Sequence, residues 1–183
     1  MELIWILVGI VLVVAMWLIL TYNGLIRSKN RVEEAWSDIE VQMKRRYDLI
    51  PNLINTVKGY AKHEEGVFTK VTEARTAAMG ATSMADHSKS ENMLSETLKS
   101  LFAVSENYPQ LQASQNFLEL QHELADAEDK IMAARRFYNA NTRDFNTKLQ
   151  VFPTNLIAGV FGFLAREFFD APEAELAKPE VKF

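Results

Sequence analysis

One feature limits this chain more than any other. Residues Leu3–Leu20 read LIWILVGIVLVVAMWLIL, an uninterrupted apolar run. At ~1.5 Å per residue a helix of that run spans about 27 Å, close to the hydrocarbon core of a bilayer. The next charge after Glu2 is Arg27, so the span has room to slide or tilt. Trp5 sits near one end, and Trp17 and Tyr22 near the other, as an aromatic belt would. A cleaved secretory signal is the rival reading. It calls for a basic start and a small-x-small cleavage site, whereas this chain starts Met-Glu and continues Thr21-Tyr22-Asn23-Gly24. The expectation is a retained anchor over residues 1–24, with Leu3, Trp5, Val8, Val11, Val14, Trp17 and Leu20 in the membrane.

Flanking charge sets the orientation. Arg27, Lys29 and Arg31 follow the run, then Lys44-Arg45-Arg46, and no Lys or Arg precedes it. The positive-inside rule therefore places the body of the chain in the cytoplasm and the N-terminus outside, with a single pass.

The remainder reads as helix. Val32, Trp36, Ile39, Met43, Arg46, Ile50, Leu53, Val57 and Tyr60 recur at spacings of three and four, a heptad-like stripe. Its phase survives Pro51, so a kink or short break is expected near Asp48–Pro51 without a change of direction. Asp48 and Asn52 are candidates to cap the backbone groups freed there. The stripe falters at His63-Glu64-Glu65-Gly66 and resumes at Val67, Val71 and Ala74. The small polar stretch Gly80–Ser90 predicts a loop, and a shorter helix should run from Glu91 to Glu106. Asn107-Tyr108-Pro109 ends it, because the residue before proline disfavours helix. Phe117, Leu120, Leu124, Ala127, Ile131, Ala134, Tyr138, Asn141 and Phe145 mark one long amphipathic helix of roughly 30–38 residues. No strand-like alternation occurs. The expected fold class is all-α: a transmembrane helix followed by an antiparallel helical bundle over residues 25–150. A Phe-rich apolar segment over 151–169 and a disordered tail over 170–183 complete the chain.

Composition excludes much chemistry. The chain of 183 residues has no cysteine, which removes thiol catalysis, cysteine metal sites and lipidation through cysteine. The net charge of −4 and pI near 5.5 argue against nucleic acid as a partner. Glu119 and His122 form a Glu-x-x-His pair of the kind used by di-metal bundles. His63 and His87 have no Glu three residues before them, so His122 is expected on the surface and no metal or other cofactor is assigned. No nucleophile–base pair or phosphate loop can be specified, so no catalytic residue is named.

Three clusters stand out as contact candidates. Lys44-Arg45-Arg46 could meet anionic lipid, but Arg46 lies on the apolar stripe, which favours pairing within the bundle to a carboxylate such as Asp126 or Glu128. Arg135 and Arg136 beside Phe137 and Tyr138 suit a partner carboxylate or phosphate, or salt bridges to the glutamate-rich helix faces. Phe152, Leu156, Phe161, Phe163, Phe168 and Phe169 belong to a segment too short to span a bilayer. It can cap the bundle, insert at the membrane interface or bind another subunit.

Long stretches are recognisable as motifs. They are YNGLIRSKNRVEEAWSDIEVQMKRRYDLIPNLINTVKGYAKHEEGVFTKVTEAR (Tyr22–Arg75), NFLELQHELADAEDKIMAARRFYNANTRDFN (Asn116–Asn146) and FPTNLIAGVFGF (Phe152–Phe163). On these the sequence resembles the LemA family. The resemblance implies a bacterial inner-membrane protein with its N-terminus outside and an up-and-down four-helix bundle in the cytoplasm. It implies no established catalytic activity. A magnetosome-associated branch of the family is connected with forming an internal membrane. Two functions are then expected in turn. One is a non-enzymatic, homo-oligomeric scaffold that organises or shapes membrane lipid. The other is a regulatory adaptor that binds an unidentified membrane protein, such as a protease or signalling partner.

Overall fold

The structure is a computed structural model, and it describes residues 1–169. Those residues form six helices and no strand. They are α1 (Glu2–Lys58), α2 (Glu65–Met79), α3 (Met84–Ser105), α4 (Pro109–Gln112), α5 (Gln115–Gln150) and α6 (Thr154–Val160). The expected disordered tail over 170–183 lies outside the described residues. The chain divides into two compact units. One combines residues 1–38 with 135–168, and the other is built from residues 39–134 with Phe169.

The first unit begins with the apolar run. α1 is helical from Glu2 onward, and residues 2–20 are exposed along their whole length. Burial starts abruptly at Leu25 and continues through Ser28, Val32 and Ala35, one side of the same unbroken helix. The residues opposite come from α5 and the segment after it. Trp36 meets Tyr138 edge-on at 5.7 Å between ring centroids. Lys148 donates to the Ser28 hydroxyl at 3.0 Å. Leu25 packs with Ile157 and Ala158 of α6, flanked by Leu149 and Phe163.

The second unit contains the middle of the heptad stripe. Ile39, Met43, Arg46, Ile50, Leu53 and Val57 are all buried. α2 and α3 pack against each other, through Phe68, Val71, Ala74 and Ala78 on α2 and Leu94, Leu98 and Leu101 on α3. Phe102 and Phe117 add an edge-to-face ring pair at 6.2 Å.

Three expectations need correction. Of the kink or short break expected near Asp48–Pro51, the break is absent, and α1 runs through Pro51 to Lys58. Pro51 lies on the exposed side of the helix, where a missing backbone bond is least costly. Tyr60, expected on the stripe, is exposed, because the helix ends two residues earlier and the buried position passes to Ala61. The loop is also shorter than Gly80–Ser90, since α3 begins at Met84 and ends at Ser105. The cause is the Ser83 N-cap. The Ser83 hydroxyl accepts from the Asp86 backbone N–H at 3.1 Å and donates to its carboxylate at 2.6 Å. Polar composition read as loop, but these polar residues serve the helix start.

Candidate functional site

Two groups of residues have chemistry that the fold alone does not require, one in each unit.

In the second unit a guanidinium is buried on the apolar stripe. Arg46 has no exposed surface, and neither has Glu91 of α3. The two are ion-paired, and Arg46 also pairs with Glu128 of α5. Arg46 further donates to the Ser95 hydroxyl at 3.1 Å, which in turn donates to Glu128 at 3.0 Å. The Tyr47 hydroxyl donates to the other oxygen of Glu91. Arg75 of α2 donates to the Tyr47 backbone carbonyl at 2.7 Å. One buried cation thus draws carboxylates from two other helices, and the network reaches α2 through Tyr47. Within this cluster the Nε of Arg46 is buried with no hydrogen-bond partner.

Arg45 next door faces the rim. It donates to Asp126 at 2.9 Å and lies 3.9 Å from Glu123, while Lys130 also donates to Asp126 at 2.9 Å. The hydrogen bond from Lys130, joined by the charge of Arg45, holds the Asp126 carboxyl below its ordinary value against an opposing desolvation. The sequence expectation that these basic residues pair within the body is met, with Arg45 on Asp126 and Arg46 on Glu128. Glu91 was not foreseen. A signal for it exists: Glu91, Leu94, Leu98 and Leu101 keep one helical phase, so a carboxylate occupies an apolar position just as Arg46 does.

The remaining candidates separate. Glu119 and His122 are both exposed, and no group of three or more metal-ligating side chains occurs among the described residues. His87 is half-buried on α3, not in a loop, and burial lowers its pKa from 6.5 against the opposing charges of Glu40 and Asp86. Arg135 is half-buried, whereas Arg136 and Phe137 are exposed on α5. Arg27 and Arg31 are exposed and Lys29 lies 3.7 Å from Glu33.

In the first unit the Phe-rich segment folds back onto the end of the apolar run. α6 ends in a Schellman turn: Phe163 N–H reaches Ala158 C=O at 2.9 Å, Gly162 N–H reaches Gly159 C=O at 3.4 Å, and Gly162 has φ of 67°. That left-handed position favours glycine, and the turn swings Phe163 back over Ala158. Tyr22 meets Phe161 at 4.8 Å and Phe163 at 5.9 Å. Asn146 then holds both backbone groups of Arg166, each at 2.9 Å, and Tyr138 donates to the Glu167 carbonyl at 2.8 Å. Phe152, Leu156, Phe161 and Phe168 are exposed, and Phe163 is half-buried. Phe169, grouped with them by sequence, is instead buried and offers no contact surface.

Comparison with known proteins fits this arrangement. The family model described as LemA family matches residues 35–183. A protein LemA from Metamycoplasma hominis is 29% identical over 84% of this chain and 70% of its own length. The magnetosome protein MamQ 2 of Paramagnetospirillum magneticum is 24% identical over 86% of this chain and 67% of its own. The magnetosome protein MamQ of Magnetospirillum gryphiswaldense is 22% identical over 90% and 71%. With the family model covering most of its length, and with one helix among the described residues long and apolar enough to cross a membrane, this chain, whose described residues form helices and no strand, belongs to the LemA family.

Proposed function

We propose that this protein is a single-pass, non-enzymatic scaffold of the bacterial inner membrane, one that self-associates and organises the bilayer from the cytoplasmic side. The observation that carries this reading is the continuity of α1. Residues 3–20 are apolar and all exposed, which in water would be a large unfavourable surface. The same helix becomes packed at Leu25 with no flexible joint between. A span whose own helix continues into the packing of the first unit transmits orientation to the bilayer, as a scaffold needs and a tethered enzyme does not.

Other features support the reading. The basic residues Arg27 and Arg31 are exposed just beyond the run, which favours a cytoplasmic body. The pairs Trp36–Tyr138 and Ser28–Lys148 progress in opposite senses along α1 and α5, in keeping with antiparallel up-and-down packing of the four longer helices. Exposed Arg136 and Phe137 on α5 give a cation beside an aromatic face, chemistry suited to contact between copies. The relatives named as magnetosome proteins support a role at a membrane structure.

The test uses the native lack of cysteine, which makes every introduced thiol unique. Single cysteines at Glu2 and Lys99 in intact cells should react with an impermeant maleimide at the former and only after lysis at the latter. Chemical crosslinking in the same membranes should give a discrete ladder. Monomer alone would contradict self-association, and a stoichiometric foreign protein in the crosslinked species would favour the adaptor function instead.

A further inference from the structure

The segment that follows α5 is charge-free for an unusual length. No Asp, Glu, Lys or Arg occurs between Lys148 and Arg166, just as none occurs between Glu2 and Arg27. The structure brings these two stretches together. Tyr22, two residues past the apolar run, contacts Phe161 and Phe163, and Leu25 packs under Ile157 and Ala158. Tyr22 is only about 3 Å along the helix axis from Leu20. The charges also resume together: Lys148 bonds Ser28 at 3.0 Å, and Arg166 bonds Glu33 at 2.7 Å. One polar boundary therefore serves both stretches.

On the membrane side of that boundary α6, past Thr154 and Asn155 of its first turn, is apolar on both faces. Ile157 and Ala158 cover Leu25. Leu156 and Val160 point away from it, with Phe152 and Phe161 on the flanks and Leu164 beyond the Schellman turn, and all are exposed, Val160 at 81%. An exposed apolar patch of that extent is normally covered. Here the second cover has to lie where the apolar run of α1 already leaves the body.

We propose that residues 151–164 are a second, non-spanning membrane contact, inserted into the headgroup–acyl boundary of the leaflet from which α1 emerges. This rests on the reading of α1 as a membrane span. The occupant of the exposed face is phospholipid, because the patch is continuous with the span, and Lys148 held on Ser28, with Arg27 and Lys29 beside Ser28 in the sequence, supplies cations that suit anionic headgroups. α6 and its turn then act as a collar that fixes how deep the span sits and how the body is tilted.

Spin labels on the full chain test this in vesicles of phosphatidylethanolamine and phosphatidylglycerol. Val160→Cys and Leu164→Cys probe the collar, Leu12→Cys reports the bilayer centre, and Glu119→Cys reports water. All four residues are exposed, so the substitutions leave packing intact. At the collar positions oxygen should relax the labels more than a water-soluble nickel reagent does, at a depth of about 5–10 Å below the phosphates. Nickel accessibility equal to that of Glu119→Cys, with Leu12→Cys still deep, overturns the collar while the anchor stands. Shielding from both reagents, with dipolar broadening that disappears on dilution with unlabelled chain, overturns it in favour of a second copy. A water-exposed Leu12→Cys removes the anchor itself and the collar with it.

Discussion

The apolar junction of the first unit and the buried ion cluster of the second are opposite solutions to holding helices together. At the junction, Leu25, Ile157, Ala158 and Phe163 pack without direction, and large apolar side chains are left facing outward. In the cluster, Arg46 and Glu91 are wholly enclosed and every contact is directional. Apolar packing tolerates sliding and a change of partner. A buried guanidinium that must find Glu91, Ser95 and Glu128 together admits one register of α1, α3 and α5. The contrast assigns adaptability to the surface proposed to meet lipid and uniqueness to the ion cluster.

The largest expected effect comes from breaking the cluster. Arg46→Ala should cost about 3–5 kcal/mol, because Glu91 would remain buried without its cation. Denaturant titration of the full chain in detergent measures it. Arg46→Met with Glu91→Leu should cost much less than Arg46→Ala alone. If the double variant is equally damaged, directionality is not what the cluster contributes.

At the junction, Gly162→Ala should cost about 1–2 kcal/mol, since its φ of 67° strains any residue with a Cβ. The loss should be accompanied by raised hydrogen exchange at Phe163, whose N–H closes the turn. A change no larger than that of an exposed-surface substitution would mean the turn does not hold α6 in place.

Ser83→Ala should cost about 1 kcal/mol by removing the α3 cap, with Ser83→Asp restoring most of it. The smallest effect is electrostatic. Burial holds the His87 pKa below 6.5, so the unfolded chain binds the proton more readily. Stability from this group is complete above pH 6.5 and falls as pH drops through the lower folded value. His87→Gln should flatten that slope, and an unchanged slope would assign it to other groups.

Much of this was legible because period and burial are linked. The spacing of positions from Val32 to Val57 puts them on one face, and they are the buried or half-buried face of α1. Arg46 was read as paired because its phase is apolar, and the carboxylate Glu128 is one of its partners. Three things were harder to read. The α3 start hides in polar residues, because capping residues and loop residues have the same composition. Glu91 hides because a single charged residue in a stripe looks like a break in it. The return of Phe161 onto Tyr22 hides because no local pattern encodes a contact between residues so far apart in the chain.

The most direct measurement is the native mass of the full chain in mild detergent, corrected for bound detergent. A discrete assembly at an integral multiple of the 20.9 kDa subunit is the result a self-associating membrane scaffold requires. A single 20.9 kDa subunit at every protein concentration would contradict it.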